Sequence, residues 1–179
     1  MTVMSEFMIQ IIGFIGVAFF IASYQMRSNR LLFLFQMFGC IIFTSQFFIM
    51  GAYTGALSLI VNILRNLLLL KIDKWAWVKS KTTLGAILIL LTAITIYTWA
   101  GPQSLLPYIS VGVTTIGYWT NNAQKIRLSQ MIGSPFTLVY DAVIHSWGGV
   151  LNESIALISI IVSIVRFGWN NMKEYGTEF

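Results

Sequence analysis

Apolar residues run in seven long stretches, at residues 7–24, 31–50, 54–70, 83–100, 105–119, 129–145 and 152–169, with short gaps between them. A helix that spans a bilayer needs about 20 such residues at about 1.5 Å each, and somewhat fewer where flanking residues thin the lipid. The pattern therefore predicts an all-α polytopic membrane fold of seven transmembrane helices. Pro107, Gly112, Gly117, Gly133 and Pro135 interrupt the fifth and sixth stretches, as breakers do in membrane helices that bend or pack closely.

Composition removes the soluble alternative. Of the 179 residues, 57% are hydrophobic and 9% charged, against about 25% charged in an ordinary soluble domain. The net charge of +5 is spread over short gaps rather than gathered into a basic stripe, so no nucleic-acid footprint is expected. With one cysteine, Cys40, and one histidine, His145, a single chain has no material for a disulfide framework or a thiolate or imidazole metal centre. No cofactor is expected.

The cations orient the helices. Arg27 and Arg30 fall in the first gap, Lys71, Lys74, Lys79 and Lys81 in the third, Lys125 and Arg127 in the fifth, and Lys173 in the tail. The second, fourth and sixth gaps hold no Lys or Arg. Under the positive-inside rule this alternation places the N-terminus outside and the C-terminus in the cytoplasm, which requires an odd number of spans. Residues 1–6 lack a basic residue, so the first stretch reads as a retained helix rather than a cleaved signal.

The chain also resembles itself. At an offset of 94, Tyr24 meets Tyr118, Gln36, Met37 and Gly39 meet Gln130, Met131 and Gly133, and Gly55 and Leu57 meet Gly149 and Leu151. After a slip of seven residues, Ser58, Asn62 and Arg65 face Ser159, Ser163 and Arg166. A duplicated three-helix unit, residues 7–70 and 105–169, is thus expected, joined by a linker helix at 83–100 in one membrane domain. Three helices end on the side opposite their start, so a single linker lets both units insert in parallel as a 3+1+3 arrangement.

Polar groups inside apolar stretches need a reason. Ser58, Asn62 and Arg65 share one face of the third helix, and Ser159, Ser163 and Arg166 repeat it on the seventh. Facing each other across a cavity, Asn62, Ser58, Ser159 and Ser163 would bind a neutral polar solute; the competing role is helix-to-helix bonding. Arg65 and Arg166 suit a gate or a snorkelling anchor, and Tyr24 and Tyr118 suit gates. Asp141 and His145 at i and i+4, with Glu153, suggest a proton-sensitive cluster, against which stands a plain helix cap at Asn152 and Glu153. No nucleophile elbow, P-loop or paired-histidine metal helix occurs, so an enzyme is not expected.

Gly51-Ala-Tyr53-Thr-Gly55-Ala, Asn62-Ile-Leu-Arg65, Val143-Ile-His145 and the pair Glu153 and Arg166 resemble the YgjV family of bacterial inner-membrane proteins, over about residues 13–167. That resemblance implies a topology like that of SWEET, PQ-loop and PnuC-type transporters and points to Asn62, Arg65, His145, Glu153 and Arg166. Members carry Asn where this chain has Ser163, which places that residue's role in doubt. The expected function is alternating-access transport of a small polar solute such as a sugar, nucleoside or vitamin, in contact with lipid and with a homo-oligomer left open. The rival is a membrane receptor or chaperone that binds a peptide or protein without transport.

Overall fold

In the computed structural model, which describes residues 6–24, 29–71, 75–120 and 123–167, the described residues form seven α-helices and no strand. They are α1 (Glu6–Tyr24), α2 (Asn29–Ile49), α3 (Tyr53–Leu69), α4 (Lys81–Tyr97), α5 (Leu105–Trp119), α6 (Ala123–Val143) and α7 (Trp147–Phe167), with short 3-10 turns at Ala76–Lys79 and Pro102–Ser104.

Local chemistry sets the ends. Gly51 takes φ +73° in the turn between α2 and α3, a backbone conformation open to glycine at little cost. Ser80 caps α4 by accepting from the Thr83 N–H at 3.1 Å, which satisfies one of the orphan donors of the first turn. Two boundaries differ from the sequence expectation. Helix α6 begins at Ala123 and ends at Val143 rather than spanning 129–145, because His145 lies in a turn with φ +58°. Helix α7 begins at Trp147 rather than Asn152. Its first turn closes on Ser146, whose carbonyl accepts from Val150 N at 3.0 Å and whose hydroxyl accepts from Gly149 N at 3.4 Å. The cap is therefore Ser146, and Asn152 and Glu153 stand inside the helix.

Six helices close a ring. Neighbours in space run α1, α2, α3, α5, α6, α7 and back to α1, while α4 packs outside against α3 and α5. In that order α3 stands opposite α7. Val61 of α3, Ile87 and Leu91 of α4 and Val111 of α5 form the apolar contact that holds α4 in place. On the opposite side α1 and α7 approach so closely that a Cβ on Gly148 would lie 2.7 Å from the Gly13 carbonyl carbon.

The distribution of polarity is that of a protein whose flanks face lipid. Phe7, Ile89, Ile96 and Ile158 are exposed, while Gln46, Ser58, Arg65, Asn66, Thr115 and Asp141 are buried. Among the described residues one helix, over Glu6–Ser23 at mean hydropathy 1.9, is long and apolar enough by itself to cross a membrane. Tyr53–Leu69 and Lys81–Tyr97 are apolar but have 17 residues each, or about 25 Å of helix.

The α1–α7 crossing yields a stability test. Gly148→Ala should destabilise the protein by about 1–3 kcal/mol, because the new methyl meets backbone that cannot move aside. Gly85→Ala on α4 enters open space and should be neutral or stabilising by up to about 1 kcal/mol. Thermal unfolding of both variants in detergent checks the contrast; equal melting temperatures would refute the tight crossing.

Candidate functional site

A cavity of about 120 Å³ lies inside the ring, walled by α1, α2, α3, α5, α6 and α7 and not by α4. Twelve of its lining residues fall into six pairs at one spacing. Phe20 and Thr114, Gln36 and Gln130, Cys40 and Ser134, Ser58 and Asn152, Leu59 and Glu153, and Asn62 and Ala156 all line it, and the members of every pair are 94 residues apart. Positions paired at the offset of 94 thus face one space, although their side chains mostly differ.

Of the α7 residues expected at the slip of seven, Ser159 is the one whose side chain is described. Ser159 is exposed on the outside of the helix and does not line the cavity. The positions opposite Ser58 and Asn62 are Asn152 and Ala156. The side chains of Tyr24, Ser163 and Arg166 lie outside the described residues.

Arg65 is 5% exposed and reaches into the cavity wall. Its Nη1 donates to the hydroxyls of Thr114 at 3.3 Å and Thr115 at 3.5 Å on α5. Its Nε and Nη2 donate to Asn66 Oδ1 at 3.3 and 3.4 Å. The guanidinium carbon sits 4.2 Å from the centroid of the Tyr118 ring, a cation–π contact. The Tyr118 hydroxyl in turn accepts from Gln130 Nε2 at 2.6 Å. Burial among these groups excludes a lipid-snorkelling role for Arg65. Tyr118 lines the cavity and packs with Leu69 and Val78 near the end where α3 and α5 finish.

Glu153 lines the cavity from α7, and its carboxylate accepts from Asn152 Nδ2 at 3.3 Å and from Ser134. Arg65 and Glu153 make no ion pair with each other: each is held by neutral partners. Three further polar atoms of the lining, Ser58 Oγ, Asn62 Oδ1 and Asn152 Oδ1, are buried and have no hydrogen-bond partner.

Of the expected Asp141, His145 and Glu153 cluster, His145 stands apart while the two carboxyls remain near each other. Asp141 is 2% exposed, lies within the field of Glu153, and packs on Gly149. His145, past the end of α6, is exposed; its ring is 6.3 Å from that of Trp147 and its carbonyl accepts from Gln10 Nε2 at 2.9 Å. The left-handed turn at His145 is what breaks the i, i+4 relation. Among the described residues no group of three His, Cys, Asp or Glu could hold a metal ion.

Sequence reasoning passed over Tyr140 and the two glutamines as site residues, although Gln36 and Gln130 recur in the repeat. Helix α3 has no side-chain cap at Ala52. Its free Gly55 N–H instead donates to the Tyr140 hydroxyl at 3.0 Å, a bond from α3 to α6 that nothing in the local sequence of either helix announces.

Apolar flanks around a charged and polar interior are the build of a helical membrane protein. The chain belongs to the Imp-YgjV family, described as bacterial inner membrane protein, whose family model matches residues 7–171. No curated protein and no solved structure matches it.

The Tyr140 bond makes a clean prediction. Tyr140→Phe keeps the ring packing against Phe47 and strands one amide, and should cost about 1 kcal/mol. Thermal unfolding beside a Tyr97→Phe control, whose side chain is 89% exposed, measures it; equal losses would place the hydroxyl outside the stabilising set.

Proposed function

We propose that this inner-membrane protein is a transporter, a facilitator or exchanger of a small polar solute. In this reading the seven helices are spans, with the N-terminus outside and the C-terminus in the cytoplasm. The two three-helix segments, with α4 as linker, rock to open the cavity to either side in turn. The observation that carries it is the cavity itself, where Ser58 Oγ, Asn62 Oδ1 and Asn152 Oδ1 stand buried and unpartnered. Each such atom costs about 1–3 kcal/mol unless something hydrogen-bonds to it, and a polar solute does so. The shared spacing of the six lining pairs supports two equivalent halves around one site. The groups at the site bind and orient; no reaction is assigned to them, and nothing in the reading requires a metal or cofactor. Facilitated exchange is the default, since a coupling ion has no assigned place.

Counterflow in proteoliposomes tests the proposal. Preloaded vesicles should accumulate labelled solute from a panel of sugars, nucleosides, vitamins and amino acids, and Asn62→Ala should raise the half-saturating concentration about tenfold, the equivalent of one lost hydrogen bond to a buried group. Expression and melting temperature should hold. Counterflow absent for the whole panel, with a protein partner recovered by crosslinking in native membranes, would replace transport with a receptor role.

A further inference from the structure

The polar groups of the cavity carry information about its occupant that their number alone does not. Arg65 on α3 and Glu153 on α7 line one cavity from opposite walls, are of opposite sign when ionised, and are not paired with each other. Two buried opposite charges in one space lower their energy by meeting, since the residual penalty for an isolated buried ion is several kcal/mol. Here Thr114, Thr115 and Asn66 hold the guanidinium back on one side, and Asn152 and Ser134 hold the carboxylate on the other. The space between them is bordered by the unpartnered Ser58 Oγ and Asn62 Oδ1.

We infer that the solute is a small zwitterion of amino-acid type, whose carboxylate is taken by Arg65 and whose ammonium is taken by Glu153, with Asn62 and Ser58 accepting from its remaining N–H groups. This inference rests on the transport reading and names the solute class for that site. The donor arithmetic agrees. A guanidinium has five N–H groups; the two on Nη1 go to the threonine hydroxyls, and Nε with one on Nη2 goes to Asn66. One Nη2 donor is left over, and the bonds already made, at 3.3–3.5 Å, lie at or beyond the long end of the range for an N–H donor. They are weak enough to yield to a carboxylate, whose charge-assisted bonds are shorter and about twice as strong. A neutral sugar or nucleoside would satisfy Ser58 and Asn62 and leave both charges uncompensated. A plain carboxylate would answer Arg65 and repel Glu153.

Thermal unfolding of the otherwise unmodified protein reports occupancy between the two charges. Glycine, alanine and β-alanine should raise the melting temperature, whereas acetate, ethylamine, xylose, uridine and nicotinamide should not. Glu153→Gln should let acetate raise the melting temperature and should raise the half-saturating concentration of glycine about tenfold, the size of one charge pair lost; Arg65→Gln should abolish the response to glycine. Stabilisation by xylose, uridine or nicotinamide with silence from the zwitterions would overturn the solute class and leave transport standing. Silence from every compound, with no counterflow, would overturn both. Should a variant fail to fold, the response of the unsubstituted protein to the panel still decides between these results.

Discussion

A guanidinium withdrawn from water and surrounded by neutral groups is the constraint on which the rest of this molecule turns. Arg65 needs donors' partners on every side, so α5 must bring Thr114 and Thr115 against α3, and Tyr118 must lay its ring face beneath the charge. Ser58 and Asn62, on the same face of α3, line the cavity beside it. The apolar side chains of the ring are then free to point outward. A soluble protein would reverse that distribution.

The existence of seven helices was legible because long apolar runs have few other uses, and α5 falls at Leu105–Trp119 as its run suggests. The junction of α6 and α7 was not. His145 adopts a left-handed conformation that a non-glycine residue takes only in special surroundings, and Gly148 and Gly149 disguise the first turn of α7 because they are poor helix formers. Glycine sits there because Gly13 of α1 passes at backbone distance and Asp141 packs on Gly149, both long-range facts.

The repeat teaches a similar lesson about the cavity. Gln36 and Gln130 announce the offset because they are alike, yet the pairs that set the chemistry are unlike: Leu59 corresponds to Glu153, and Asn62 to Ala156. Matching by residue type pairs Ser58 with Ser159, which stands on the outer face of α7. The packed helices instead bring Ser58, Asn62 and Arg65 of α3 and Asn152, Glu153 and Ala156 of α7 to one cavity, with the charges divided between the two helices. The cation comes from the first half and the anion from the second.

The bonds that hold Arg65 in place also join α3 to α5, one of the two seams at which the halves of the ring meet. Its donors are finite, so any oxyanion that draws on Nη1 does so in competition with Thr114 and Thr115. Occupancy of the cavity and strength of that seam are therefore thermodynamically linked, and the linkage is reciprocal: whatever parts α3 from α5 raises the affinity of the guanidinium for an anion by the same factor by which the anion favours their parting.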